Sequence, residues 1–107
     1  MPTMIDRDAQ LVTLINVFTV PRERQAELVE LLEHATEEVM RHQPGFVSAN
    51  IHAGLDGTHV ANYAQWRTEQ DFRTMLTNPE CQRHMSAATA MANAEPVLYT
   101  VASTHPV

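Results

Sequence analysis

Asparagine, histidine and tryptophan side chains recur between Phe46 and Trp66 in a pattern that could form a small-molecule site. Asn50, His52, Asn62 and Trp66 are separated by mostly apolar neighbours. An asparagine amide can donate to an oxyanion, a histidine can take up a proton near neutral pH, and a tryptophan can stack on flat rings or donate its N–H. One such residue alone more often bonds to nearby backbone, whereas three polar residues sharing a face with the one tryptophan favour a ligand site.

How these side chains meet depends on the hairpin around residues 55–57. If these three residues form the loop, with Gly57 in the left-handed conformation, Gly54 pairs with Thr58. Three further pairs then face each other: Asn50 with Asn62, His52 with Val60, and Phe46 with Trp66. This register predicts that the polar side chains share one face of a sheet, to which Asn16 of an earlier strand can be added.

Hydrophobic patterning predicts an order of elements that defines a fold class. Four β-branched or apolar stretches indicate strands: Leu11–Val20, Phe46–Ala53, Thr58–Trp66 and Pro96–Ser103. Spacing and composition predict three helical stretches: Pro21 to about Arg41, Glu69–Asn78, and Glu80–Ala92 after the break at Pro79. This order is that of a ferredoxin-like βαββαβ domain of the α+β class, with helices on one face of a four-stranded antiparallel sheet.

The other face of such a sheet needs a cover. The pattern would expose five large side chains there: Ile15, Val17, Val47, Ile51 and Tyr63. A patch this apolar is rarely left in water, and a second copy packed sheet against sheet is the simplest cover. We therefore expect a homodimer of one domain, residues 11–103, with flexible tails at 1–10 and 104–107.

Composition excludes several classes of function. The chain has 107 residues and a formal net charge of −6, and its seven basic residues form no basic stripe, so nucleic-acid binding is not expected. No apolar run is long enough to span a membrane. Cys81 is the one cysteine, which suits the cytoplasm and rules out a multi-cysteine metal site. No histidine pair has the i,i+4 spacing of a helical zinc site, so no metal is predicted.

One long motif resembles a known family. The run IHAGLDGTHVANYAQW at Ile51–Trp66, with Pro44-Gly45-Phe46 before it and Phe72–Pro79 after it, resembles the antibiotic biosynthesis monooxygenase family. Within that family it is most similar to the small anthrone oxygenases of aromatic polyketide pathways, over about Val12 to Ser103. The resemblance implies a dimeric α+β barrel that oxidises a small aromatic substrate with O₂ as co-substrate and no cofactor.

The resemblance also implies roles for individual residues. It assigns catalysis to Asn62 and Trp66, with His52 as a pocket histidine that could take a proton. Two positions depart from the subgroup: Phe72 replaces a pocket tyrosine and Met85 replaces an arginine, for which Arg83 or His84 could substitute. The side chains predicted to contact the substrate are Asn16, Phe46, Asn50, Phe72, Met75, Arg83, His84 and Met85.

Two alternatives stay open at this point. Haem-degrading relatives of the same fold resemble the chain at Asn16, and their functional tryptophan and histidine fall at Met75 and near His84. A non-catalytic dimeric ligand-binding protein would share the fold without the chemistry. The first alternative predicts haemin binding, and the second predicts a filled core in place of a polar-lined cavity.

Overall fold

The computed structural model describes residues 2–107 and confirms the α+β class. In chain order it has β1 (Val12–Thr19), α1 (Gln25–Glu38), β2 (Phe46–Ala53), β3 (His59–Trp66), α2 (Glu69–Leu76), α3 (Pro79–Thr89) and β4 (Asn93–Tyr99). Short 3₁₀ turns, Arg22–Arg24 and Met40–His42, flank α1. The four strands form one antiparallel sheet in the order β2-β3-β1-β4.

The break between α2 and α3 is built by a cap and a proline. The Asn78 side chain accepts hydrogen bonds from the backbone N–H groups of Glu80 and Cys81, and Pro79 occupies the first turn of α3. These residues satisfy N–H groups that a helix start leaves unpaired, and proline costs nothing at this position. The interruption predicted at Pro79 is therefore confirmed.

The last strand lies earlier in the chain than the predicted Pro96–Ser103. Strand β4 pairs with β1 from Asn93 to Tyr99, and α3 ends at Thr89. In β4 the side chains alternate between the two faces of the sheet from before the proline. Ala94, Pro96 and Leu98 all face the helices. A proline is tolerated here since β4 is an edge strand of the sheet.

The predicted hairpin register is wrong by one residue along most of β2. Gly57 is left-handed as expected, with φ 81°, but the Gly54 N–H donates to the oxygen of His59 at 2.8 Å rather than pairing with Thr58. The Asp56 carboxylate accepts the N–H of Thr58 at 2.9 Å, which lengthens the turn by one residue. Strand β2 therefore pairs Ile51, not Asn50, with Asn62.

A β-bulge near the start of β2 explains why one predicted pair survives. Phe46 still faces Trp66, whereas Ser48 faces Gln65, so Val47 is an extra residue on the β2 side. Every β2 residue beyond the bulge consequently has the opposite facing from that predicted. Ile51 is a second correction, since it packs in the core under the helices instead of on the open face.

The core lies between the sheet and the three helices in two clusters. One is built around Leu14, Trp66, Phe72, Met75 and Cys81. The other is built around Phe18, Val20, Leu28, Val60 and Ala88. The clusters meet across the strands β1 and β3, so the central pair of strands forms the floor beneath the helices.

The opposite face of the sheet is only partly covered. Val17 and Val47 are each 38% exposed, Val97 is 48% exposed and Tyr99 is 46% exposed. Two residues of the N-terminal segment cross the β2–β3 side: the Thr3 hydroxyl donates to Asn50 at 2.8 Å, and the Met4 carbonyl accepts from Gln65 at 2.7 Å. Within residues 2–107, no helix is both long and apolar enough to cross a membrane.

Candidate active site

A cavity of about 310 Å³ lies between the sheet and the helices. This volume is at the lower end of the range for sites that hold small organic ligands, roughly 300–1,000 Å³. Its wall is almost wholly apolar, and it draws on both core clusters. Eight of the predicted site residues line it: Asn16, Phe46, Asn62, Trp66, Phe72, Met75, His84 and Met85.

Three polar atoms in this wall are buried without hydrogen-bond partners in the described chain: the side-chain oxygens of Asn16 and Asn62 and the indole nitrogen of Trp66. Asn16 of β1 and Asn62 of β3 are directly opposite each other in the sheet. A buried polar atom left unpaired costs about 1–3 kcal/mol, so three in one wall indicate a site prepared for a polar ligand.

Aromatic packing fixes the orientation of Trp66. Its ring meets Phe46 edge-on, with centroids 5.6 Å apart and an interplanar angle of 87°, and Phe72 at 6.1 Å and 71°. Only 2% of the Trp66 surface is exposed. Edge-to-face contacts of this kind stabilise a ring beyond simple burial, which keeps the indole N–H in place. Phe72 thus forms one wall of the indole site.

The helices α2 and α3 supply the roof. Phe72 and Met75 of α2 are buried, and Met85 of α3 packs against the same cluster. Cys81 of α3 is fully buried there as well, and that burial raises the pKa of its thiol, with the neighbouring Glu80 carboxylate adding to the effect. A buried thiol of this kind packs as a small apolar group and is a poor nucleophile.

Three predicted site residues lie elsewhere. Asn50 and His52 are on the open face, because the bulge in β2 reverses their facing. The Asn50 amide donates to the Tyr63 carbonyl at 3.0 Å, and the His52 ring, exposed, lies 3.2 Å from the Asn50 carbonyl. Arg83 points outward from α3, is 73% exposed and stands 4.0 Å from Glu80. The predicted placement of these three side chains in the pocket is therefore wrong.

Helix α1 contributes cavity residues that are not among the predicted site residues. Leu32, Ala35 and Thr36 of α1 and Met40 just after it all line the cavity. The Thr36 hydroxyl is already used, since it donates to the Leu32 carbonyl at 2.8 Å. Apolar residues at helical spacing on α1, among them Leu28, Leu32 and Ala35, were the available signal, but such a stripe alone does not distinguish a filled core from a cavity wall.

The described residues offer no obvious metal centre. No group of three or more His, Cys, Asp or Glu side chains in 2–107 is placed to hold an ion. Within that part of the chain, the cavity wall includes neither arginine nor lysine, so its polar capacity rests on amide, hydroxyl, indole and imidazole groups.

Comparisons with known proteins agree with this architecture. A family model described as antibiotic biosynthesis monooxygenase matches residues 11–87. Tetracenomycin-F1 monooxygenase of Streptomyces glaucescens is 44% identical over 97 residues, covering 91% of this chain and 87% of that protein.

Two solved structures add agreement in three dimensions. SnoaB, a cofactor-independent oxygenase from Streptomyces nogalater, matches with a TM-score of 0.80 and 30% identity over 92% of this chain and 99% of that chain. The ActVA-Orf6 monooxygenase of Streptomyces coelicolor, solved with nanaomycin D, matches with a TM-score of 0.82 and 30% identity over 92% and 94%. Taken with the sequence match, these results establish that this chain belongs to the antibiotic biosynthesis monooxygenase family.

Proposed function

We propose that this chain is a cofactor-independent monooxygenase that oxidises a polycyclic aromatic, anthrone-type polyketide intermediate to a quinone with O₂. The observation that carries the proposal is the group of unpartnered polar atoms of Asn16, Asn62 and Trp66 in an apolar cavity. Related proteins support the same chemistry, since one is named for tetracenomycin F1, one is a cofactor-independent oxygenase and one binds nanaomycin D.

The chemistry follows from the electronic state of oxygen. Triplet O₂ reacts slowly with closed-shell molecules, but an electron-rich carbanion can give it one electron. An anthrone forms such a carbanion when its activated methylene loses a proton, and the charge spreads onto the carbonyl oxygen. The protein then has to hold flat rings, stabilise that oxyanion and keep water out, and an apolar cavity with few polar groups suits all three tasks.

We assign the oxyanion to Asn62 and the oxygen intermediate to Trp66. The side-chain NH₂ of Asn62 can donate to the developing oxyanion, and one such donor is typically worth about 3 kcal/mol. Its unpartnered oxygen is an acceptor and can take a hydrogen bond from a substrate hydroxyl. The indole N–H of Trp66 has no partner in the described chain, so it is available to the reduced oxygen species. Asn16, opposite Asn62, supplies a second amide that can orient the substrate.

Haem fits the cavity less well than a neutral aromatic substrate. All three positions that resemble haem-degrading relatives, Asn16, Met75 and His84, do line it. Haem also carries two propionates, and buried carboxylates need cationic or multiple hydrogen-bonding partners. Arg83, the basic residue next to His84, faces outward. We therefore favour the cofactor-independent activity.

The test is aerobic turnover of dithranol or emodin anthrone by chelator-treated protein. Quinone absorbance and oxygen uptake are followed together, with spontaneous oxidation subtracted. Wild-type protein should accelerate both signals, and Asn62→Ala should lose about 10²–10³ of the rate. Asn93→Ala is the matched control, since Asn93 is exposed and is the first residue of β4. Equal rates for wild type and buffer would reject the proposal.

We further propose that two copies pair through the open sheet face. Val17, Val97 and Tyr99 lie on adjoining strands and are each at least 38% exposed, which is unusual for side chains of this size on one face. Sedimentation equilibrium should give a dimer for the wild type and a monomer for Val97→Glu. A monomeric wild type at micromolar concentration would contradict the pairing.

We also propose that residues 11–103 form the single functional domain and that it acts in the cytoplasm. Every element of the sheet and every helix falls within that range. The one cysteine, Cys81, is buried, and a chain with a single cysteine forms no internal disulfide, which suits a reducing compartment. Expression of residues 11–103 with retained thermal stability would support the boundaries, and cell fractionation would test the location.

A further inference from the structure

One imidazole, that of His84, lies in the described part of the cavity wall. Among the described residues that line it, the polar or ionisable ones are two asparagines, two threonines, a tryptophan and His84. Of these groups only imidazole readily accepts and releases a proton in that pH range. The proposed oxidation requires such a group, because a C–H proton must leave the substrate before O₂ can react with it.

The fold turns His84 toward the cavity. Cys81 and Ala88, about one turn before and after it on α3, are 0% and 2% exposed, so this side of the helix faces the sheet. His84 itself is half-buried and lines the cavity. Its ring meets His34 of α1 edge-on, with centroids 6.4 Å apart and planes at 63°, which sets the ring between the two helices.

We propose that His84 is the catalytic base of the oxidation, an inference that rests on the proposed function. It takes over the proton-accepting role that the resemblance gave to His52, which lies on the far side of the sheet. A base must come within hydrogen-bond reach of the proton it removes, and a substrate in this cavity can meet that condition with His84 but not with His52.

Each step then balances in atoms and electrons. His84 takes a proton from the activated methylene, and the carbanion gives one electron to O₂. The carbon radical and superoxide combine in a C–O bond, and protonated His84 returns its proton to give a hydroperoxide. His84 next removes the second C–H proton, the C=O bond forms as the O–O bond breaks, and the departing hydroxide takes that proton as water. One oxygen atom of O₂ enters the product and the other becomes water.

The proton step can be measured apart from the oxygen step. Under anaerobic conditions in D₂O, a base at the cavity speeds deuterium exchange into the methylene of dithranol, which NMR follows against a buffer blank. The variants are His84→Gln, which keeps a polar side chain, and His84→Ala with and without added imidazole. His42→Gln is the matched control, because His42 is exposed and lies outside the cavity wall.

The expected results are specific to a base. Wild type and His42→Gln should accelerate exchange, His84→Gln should lose about 10²–10⁴ of that acceleration, and imidazole should restore part of it to His84→Ala. Exchange in His84→Gln equal to wild type, or no acceleration by wild type, would overturn the assignment. Wild-type exchange without quinone formation in air would instead reject the proposed function while leaving His84 as the base.

Discussion

Asn16 and Asn62 face each other across β1 and β3, and the side-chain oxygen of each is buried without a partner in residues 2–107. Evolution rarely keeps such a pair for stability, since an unpaired buried acceptor costs about 1–3 kcal/mol. The two amides therefore lower the stability of the free protein but can contribute to substrate binding. Substrate supplies the hydrogen bonds that the protein alone does not.

Replacing either amide by leucine should separate activity from stability. We expect Asn62→Leu to lose about 10²–10³ of the anthrone oxidation rate, because the oxyanion donor is gone. The free energy of unfolding should stay the same or increase, because an unpaired buried oxygen is removed. Urea unfolding and the quinone assay on the same preparations measure both. A loss of stability as large as 3 kcal/mol would contradict the assignment of Asn62 to binding.

Gly45 should resist even the smallest side chain. Its φ is 83°, and a Cβ built there would overlap the side chain of Asp71 at the start of α2. We expect Gly45→Ala to cost about 1–3 kcal/mol of unfolding free energy, from backbone strain together with the overlap. The double variant Gly45→Ala/Asp71→Ala should recover only the part of the overlap that comes from the Asp71 carboxylate, because the Cβ of residue 71 stays 2.5 Å from the added Cβ. The backbone strain should remain as well, as a double-mutant cycle of urea unfolding would show. A single-variant cost below about 0.5 kcal/mol would be inconsistent with this backbone.

The thiol of Cys81 should be almost inert in the folded chain. It is fully buried among apolar side chains, and burial raises its pKa, so little thiolate forms and reagents cannot reach it. We expect no reaction with Ellman's reagent at pH 8 over an hour, and one thiol per chain in urea. Fast labelling of the native protein would mean that α3 opens readily from the sheet.

Asp56 should make the hairpin sensitive to acid. Its hydrogen bonds, chiefly from the backbone N–H of Thr58 and then from His59, hold the pKa of this carboxyl below its usual range. Because the pKa is lower in the folded than in the unfolded chain, the contribution to stability is present above about pH 4 and is lost as pH falls through the folded value.

The check on Asp56 is a pair of urea midpoints. Asp56→Asn should unfold at lower urea than wild type at pH 7, and the difference should shrink in acid, where the wild-type carboxyl is protonated. His59→Gln should keep most of this pH dependence, because the larger effect comes from the Thr58 backbone. A difference that persists unchanged in acid would point to the turn geometry rather than to the charge.

Element order and the main pocket residues could be predicted from the sequence because each left a local signal. The strand Phe46–Ala53 has the predicted bounds, and the helix break occurs at Pro79. Asn62 and Trp66 both line the pocket because strand alternation places residues four apart on the same face, whichever strand is the partner. These features depend on periodicity, capping and turn chemistry, all of which act over a few residues.

The facing of β2 could not be predicted in the same way. One bulge reverses every residue after it, and Val47, the extra residue, has nothing in its type that marks it as such. The four-residue turn is stabilised by the hydrogen bond from the Thr58 N–H to the Asp56 carboxylate. The difference in free energy between this turn and the shorter loop is therefore about that of one hydrogen bond. His52 was misplaced for this reason. His84 was predicted to contact the substrate, but only the cavity shows that it is the histidine in the described wall, and so a candidate for the base.

The bulge at Val47 also bears on length variation among related chains. With Val47 removed, Phe46 would remain opposite Trp66 and Ser48 opposite Gln65 in an uninterrupted ladder, so no side chain in the cavity would move. Strand β2 can thus lose its bulge residue, Val47, while the cavity wall stays intact. An alignment that penalises a one-residue gap at Val47 heavily would underestimate the similarity between a sequence with the bulge and one without it.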